Sequence, residues 1–334
     1  MESIVPGVLT VAVASVFQGG FMAPSKWIRG WAWENYWLIF AITAYLISPW
    51  VLAFITIPQV FDVYARCSPS VLVTVLVFGT LWGVGAVTFG LGVDALGVAL
   101  GFAVILGVAT VGGTLIPLIT APPANWNLTL TLLTGAALLL MLAGVAVCSL
   151  AGRWKEKTAE GRSYTRGVLI CAGSGILSAC GNLGFNFGSE VTQRALESGV
   201  ASHLAGNALW TLLTLPLFAW NAGYAIILLR RNGTSKNYQK PGAVRGIVLA
   251  ALMGAMWLAG MSLYGVGARL LGMLGPSLGW AMLMSGMVIV ANLVGLGTGE
   301  WSGAPAANKR QLAYGLGLLM ISIALLGIMN GSKA

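Results

Sequence analysis

Four residues at intervals of four, Ser174, Ser178, Asn182 and Asn186, sit in an otherwise apolar run of the chain. On a helix they form one stripe more than three turns long. Hydroxyls and carboxamides can donate and accept hydrogen bonds without carrying charge. In hydrocarbon they need partners or a wet cavity. The stripe could bond a neighbouring helix or line such a cavity, and both readings stand. A second stripe follows at His203, Asn207, Trp210, Thr211 and Thr214, with Asn221 beyond it. Gln18 lies in the first apolar run, and Ser277, Trp280, Ser285 and Asn292 in the ninth. Trp82, Trp257 and Trp280 fall inside apolar runs, where an indole N–H needs a partner. Amides that bond hydroxyls, beside rings that stack on C–H faces, make a surface suited to a sugar. Core packing would use the same rings. Tyr264 joins the tryptophans as a stacking or gate residue.

The acids are placed otherwise. Asp94 and Glu300 sit at the ends of apolar runs, Glu34 in the first connection, and Asp62, Glu190 and Glu197 in later ones. A proton-driven carrier commonly holds a carboxylate at mid-depth. Here the proton site would have to be an end residue, Glu34 or Asp94, or the single histidine, His203, whose titration range suits it. Lys26 and Asn207 complete the candidates for coupling or gating. An enzyme would need a nucleophile or metal constellation, and one histidine without clustered acids offers none. Cys67, Cys148, Cys171 and Cys180 show no paired spacing, so neither a disulfide nor a metal site is expected.

The elements that must position these residues are membrane helices. Hydrophobic residues make up 57% of the chain and charged residues 8%, against roughly 25% charged in a soluble domain. Ten apolar runs read as spans at 4–24, 36–57, 70–91, 95–119, 127–150, 166–188, 203–229, 244–265, 270–297 and 311–330. Each meets the roughly 20 residues that cross about 30 Å of hydrocarbon. Spans 3 and 4, and spans 8 and 9, are joined closely enough to be tight hairpins. The start Met1-Glu2-Ser3 lacks the basic region of a cleavable signal, so span 1 is expected to stay in the membrane. The Lys and Arg residues gather on one set of connections: Lys26 and Arg29, segments 153–166 and 230–245, and Lys309 with Arg310. Arg66, Arg194, Arg269 and Lys333 lie on the other set. The positive-inside rule puts the first set in the cytoplasm and both termini outside. The net charge of +9 is then topology charge rather than a nucleic-acid surface. Trp27, Trp31, Trp33, Trp37, Trp126, Trp154 and Trp301 flank spans as an interfacial belt.

The chain repeats itself. Gly79-x-x-Trp82-x-x-Gly85-x-x-x-Phe89-Gly90-x-Gly92 returns as Gly254-x-x-Trp257-x-x-Gly260-x-x-x-Tyr264-Gly265-x-Gly267, without a gap. Gly7-Val8-Leu9 returns more weakly as Gly167-Val168-Leu169. The copies lie five spans apart, and an odd number of crossings inverts direction. The expected fold is all-α and membrane-integral, with ten helices in two inverted five-helix repeats, 1–150 and 166–334, joined by a charged loop at 151–165. The 46 glycines suit helix packing in lipid, with Gly-x-x-x-Gly pairs at 79/83, 97/101, 184/188 and 275/279. The glycine-rich spans 3, 4, 8 and 9 could also rock against each other. Pro117, Pro216 and Pro276 are expected to bend their spans.

Phe21-x-Ala23-Pro24-x-Lys26 followed by Trp31-x-Trp33-Glu34-x-x-Trp37 resembles the opening of the L-rhamnose–proton symporter family, within the drug/metabolite transporter superfamily. So do Trp82-Gly83-x-Gly85, Gly90-Leu91, Gly97, Gly113-Thr114-Leu115 and Glu300-Trp301. The resemblance covers essentially the whole chain. It implies ten helices in two inverted repeats around one cavity, with L-rhamnose or a related sugar as substrate, proton coupling and no cofactor. The chain departs from that pattern early in span 9, where Gly275-Pro276-Ser277-Leu278-Gly279-Trp280 stands in place of polar and acidic residues. The expectation is an alternating-access sugar importer of a bacterial inner membrane, in contact with lipid, as a monomer or weak homodimer. Gln18, Asn182, Asn186 and Asn292 would bond hydroxyls, and Trp82, Trp257, Tyr264 and Trp280 would stack or gate. An exporter or exchanger of amino acids or other metabolites is the rival carrier. A membrane enzyme and a non-transporting sensor are the remaining alternatives.

Overall fold

The computed structural model describes residues 5–96, 98–120, 127–155 and 164–331. Gly97, Trp126, Lys333 and, in the connecting loop, Glu156, Lys157, Glu160 and Arg162 fall outside them. Ten helical segments are long and apolar enough to cross a membrane. They are α1 (Val5–Trp27), α2 (Trp33–Thr56), α3 (Pro69–Leu96), α4 (Val98–Thr120), α5 (Leu128–Gly152), α6 (Tyr164–Phe187), α7 (Asn207–Asn232), α8 (Ala243–Leu270), α9 (Gly272–Gly297) and α10 (Ala306–Gly331). Both expected hairpins are tight. At the second, Gly272 adopts φ 70°, a left-handed turn that a side chain would strain.

Two segments are broken by proline. In α2 a π-turn spans Ile42–Ile47 just before Pro49. Pro49 has no N–H for the carbonyl of Tyr45, and the wider turn absorbs the loss. Segment α9 opens with a 3₁₀ turn and a π-turn at Gly275–Gly279, around Pro276. A Cβ on Gly275 would fall 1.7 Å from the Ala268 carbonyl, so this bend requires glycine.

The helices pack in matched sets. Helix α1 lies against α8 and α9, and α6 against α3 and α4. Helix α2 contacts α8, α7 contacts α3, and α5 pairs with α10. The glycine contacts set the registers. Along α3 and α6, Gly85 meets Ser178, Gly92 meets Cys171 and Gly167 meets Leu96. Along α8 and α1, Gly260 meets Gln18, Gly267 meets Val11 and Gly7 meets Leu271. Both pairs are therefore antiparallel. Adding 175 to each α3 number and subtracting 160 from each α6 number turns every contact of the first set into one of the second. The offset of 175 is that of the Gly-Trp-Gly repeat, and 160 is that of the Gly-Val-Leu repeat.

Candidate functional site

The residues midway along α1, α3, α6 and α8 meet in one place. Trp82 and Trp257 meet in a tilted arrangement, 5.8 Å apart with 37° between their planes. Their numbers differ by 175, so each occupies the other's place in the repeat. Gln18 is buried, and its Nε2 donates to the Trp257 carbonyl at 2.7 Å. Ser178, the residue 160 beyond Gln18, is half-buried beside Gly85. Among the described residues, no hydrogen bond reaches the indole N–H groups of Trp82 and Trp257, the Ser178 hydroxyl or the Gln18 Oε1 atom. The centre thus brings together two indoles, three O–H or N–H donors and a carbonyl acceptor that are not engaged by the described residues. Tyr45, placed by the π-turn of α2, stands edge-on to Trp257 at 4.8 Å and 86°.

Toward the α8–α9 hairpin, the polar groups are tied to each other. Asn182 is buried, and its Nδ2 donates to the carbonyls of Gly113 at 2.8 Å and Pro276 at 2.7 Å. The Tyr264 hydroxyl donates to Asn182 Oδ1 at 2.6 Å. The π-turn leaves the Pro276 carbonyl free to accept. Tyr264 meets Trp280 edge-on at 5.6 Å and Phe185 at 5.7 Å, and Phe185 stacks on Trp210 at 5.1 Å. This cluster clamps α4, α6, α8 and α9 together, and it leaves neither N–H of Asn182 for a ligand.

The stripe on α6 thus divides between its two readings. Ser174, which donates to the Gly85 carbonyl at 3.0 Å, and Asn182 bond neighbouring helices. Ser178 and Asn186 are half-buried and have no side-chain hydrogen bond among the described residues.

Comparison with known proteins places the chain. Residues 1–332 match the family model described as L-rhamnose-proton symport protein. The chain belongs to that family. Relatives named L-rhamnose-proton symporter occur in Yersinia pestis, 28% identical over 347 residues, in Citrobacter koseri, 26% over 342, and in Shigella boydii serotype 18, 25% over 342. Each alignment covers 98% of both chains. A solved structure, described only as the crystal structure of a protein, is 14% identical with a TM-score of 0.62 over 99% of both chains, which shows a shared fold. The chain is a multi-pass membrane protein of this family of sugar–proton symporters.

Within a family of proton symporters, the charged groups gain weight. Lys26 pairs with Glu300 and also donates to the Thr298 hydroxyl, joining the end of α1 to the end of α9; both charges are partly exposed. Glu34 is buried at the start of α2 and accepts from Asn232 Nδ2 at 3.0 Å and Thr234 Oγ1 at 2.8 Å. Its neighbour Asn35 accepts from Asn237 at 2.9 Å and donates to the Thr234 carbonyl at 2.9 Å. The pair fastens the α7–α8 loop. The side chain of Asp94, on α3, lies outside the description.

Three sequence-derived candidates stand away from the centre. Helix α7 begins at Asn207, not at 203, because Ala201–Gly206 form turns, and His203 is exposed there. Asn207 donates to Thr56 Oγ1 at 3.1 Å, tying α7 to α2. Asn292 folds back to donate to the Val288 carbonyl of its own helix at 2.9 Å. Tyr45 was not singled out from sequence, although Pro49 four residues on signals the turn that carries it.

Proposed function

We propose that this protein carries L-rhamnose or a closely related sugar into the cell with a proton. It does so by alternating access between two inverted five-helix repeats, 1–150 and 166–334. The family match over residues 1–332 supports the substrate class and favours import of a sugar over export of other metabolites. The contacts that interconvert between α3/α6 and α8/α1 support the repeats. The clustering of Lys and Arg on one set of connections supports an inner-membrane orientation with both termini outside. The sugar sits at the centre, with Trp82 and Trp257 against its C–H faces and Gln18 and Ser178 at its hydroxyls. The single observation that carries this placement is the set of unpartnered donors around the paired indoles. Asn182 acts as a clamp beside that site rather than as a sugar ligand.

The test uses purified protein in vesicles. L-Rhamnose added to a weakly buffered suspension should raise the external pH as sugar enters. Trp257→Leu should lose saturable counterflow at rhamnose concentrations that saturate the wild type. Sugar entry without a pH change would make the protein a facilitator, and wild-type counterflow in Trp257→Leu would move the sugar elsewhere.

A further inference from the structure

We infer that Tyr45 is a further sugar-binding residue: its hydroxyl bonds one specific hydroxyl of the substrate and helps to set which sugar is accepted. The inference rests on the central site proposed above. Tyr45 lies halfway along α2 and is 4% exposed. Its ring stands between Phe40, edge-on at 5.3 Å, and Trp257, edge-on at 4.8 Å. The ring is thus fixed in direction, and it touches one of the two indoles on which the sugar stacks.

The hydroxyl is the telling group. Tyr64, Tyr238 and Tyr264 each donate theirs to a protein acceptor: the Ala208 carbonyl, the Asn35 carbonyl and Asn182 Oδ1. Among the described residues, Tyr45 has no such acceptor. The Tyr45 hydroxyl is not among the fully enclosed polar atoms left without a partner, so it keeps contact with accessible space although the residue as a whole is buried, and a ligand hydroxyl there could supply the missing partner. Phenylalanine would pack against Phe40 and Trp257 equally well, so the packing alone does not call for the hydroxyl. The backbone at this point is irregular as well. Tyr45 lies within the π-turn Ile42–Ile47, and such turns re-aim side chains at functional sites. Position 45 also breaks the two-fold pattern of the centre. Gly79 packs on the Leu213 carbonyl and the Pro216 side chain of α7 as Gly254 packs on the Phe40 carbonyl and the Thr43 side chain of α2, an offset of 173 that pairs Tyr45 with Phe218, a ring without a hydroxyl. The site thus gains a hydroxyl on one side only, as an asymmetric ligand requires.

The experiment measures counterflow of L-rhamnose and its mono-deoxy analogues in vesicles containing wild type, Tyr45→Phe or Trp257→Leu. Tyr45→Phe keeps the ring and removes the hydroxyl. Its KM for L-rhamnose should rise about tenfold, a loss of about 1.4 kcal/mol, at unchanged maximal rate. For one deoxy analogue the two proteins should show equal KM, because the partner hydroxyl is already missing. An unchanged KM in Tyr45→Phe would overturn the inference, and so would a rise of equal size for every analogue, which would mark Tyr45 as a support for Trp257. If Trp257→Leu also kept the wild-type KM, the central site itself would fall. If only Trp257→Leu were impaired, the site would stand without Tyr45.

Discussion

Two pairs of rings occupy corresponding places in the repeats and are built differently. Tyr264 and Trp280 meet edge-on at 5.6 Å near the α8–α9 hairpin. Phe89 and Phe102 meet edge-on at 4.9 Å near the α3–α4 connection. The numbers match through the repeat: 264 and 89 differ by 175. For the second ring, Val108 against Gly175 corresponds to Gly286 against Ser15, an offset of 178 that carries 102 to 280. The geometry has been kept and the chemistry has not. The first pair carries a phenol bonded to a buried carboxamide and a carbonyl freed by a π-turn, whereas the second is hydrocarbon. At the second end an ion pair, Lys26 with Glu300, ties α1 to α9 in a partly exposed place. The first ring pair is tied by desolvated hydrogen bonds and the second rests on apolar contact; at the second end the buried hydrogen bonds lie elsewhere, at Glu34 and Asn35, beside the screened charge pair. The two ends of an alternating-access carrier need not open with equal ease, and this difference in bonding is a physical source of the inequality.

The comparison breaks most directly at Asn182. Asn182→Ala leaves the Gly113 carbonyl without its partner and the Tyr264 hydroxyl and Pro276 carbonyl with only their mutual 3.4 Å bond, and a buried unsatisfied group costs about 1–3 kcal/mol. The variant should melt several degrees lower in detergent, and its rhamnose transport should drop by roughly tenfold or more. A melting temperature equal to the wild type would show that the clamp holds nothing. The smaller step, Tyr264→Phe, makes the two ring pairs alike and should cost about 1–2 kcal/mol. The reverse change, Phe89→Tyr, places a hydroxyl where no carboxamide waits; Phe89 is half-buried, so the expected loss is about 1 kcal/mol or less. Equal losses from Tyr264→Phe and Phe89→Tyr would mean that the two ends are not held differently. Both are read by thermal unfolding of purified protein.

The architecture was legible because membrane helices announce themselves in composition, and because the repeat preserves glycines at helix crossings. The site was legible only in part. Trp82, Trp257 and Gln18, all marked in the sequence by repeat or by polarity in an apolar run, meet in the structure. The sequence could not show that Asn182 is saturated, because its acceptors are backbone carbonyls, one of them freed by a proline-opened π-turn. Nor could it show that Asn292 bonds its own helix, since back-bonding and outward bonding use the same residue type. His203 was read into a span because the run around it is apolar, but the helix starts four residues later. Tyr45 went unnoticed because a single tyrosine in an apolar run reads as packing until its hydroxyl is seen without an acceptor.

The ion pair offers the smallest effect and the sharpest contrast with the clamp. An exposed or partly exposed pair contributes about 0–1 kcal/mol, so Glu300→Gln should lower stability by no more than that. The distinction lies in salt. Raising ionic strength from 0.1 to 1 M shortens the screening length from about 10 Å to about 3 Å. Wild type and Glu300→Gln should therefore converge in melting temperature at high salt, while the gap between wild type and Asn182→Ala should persist, because the clamp is neutral and buried. The charge-reversed protein, Lys26→Glu with Glu300→Lys, should recover part of the low-salt stability, since the attraction depends on the pairing and not on which helix carries which sign. A gap at Glu300 that survives 1 M salt would mean that the pair is desolvated in the membrane, and the two ends would then be more alike than their exposure indicates.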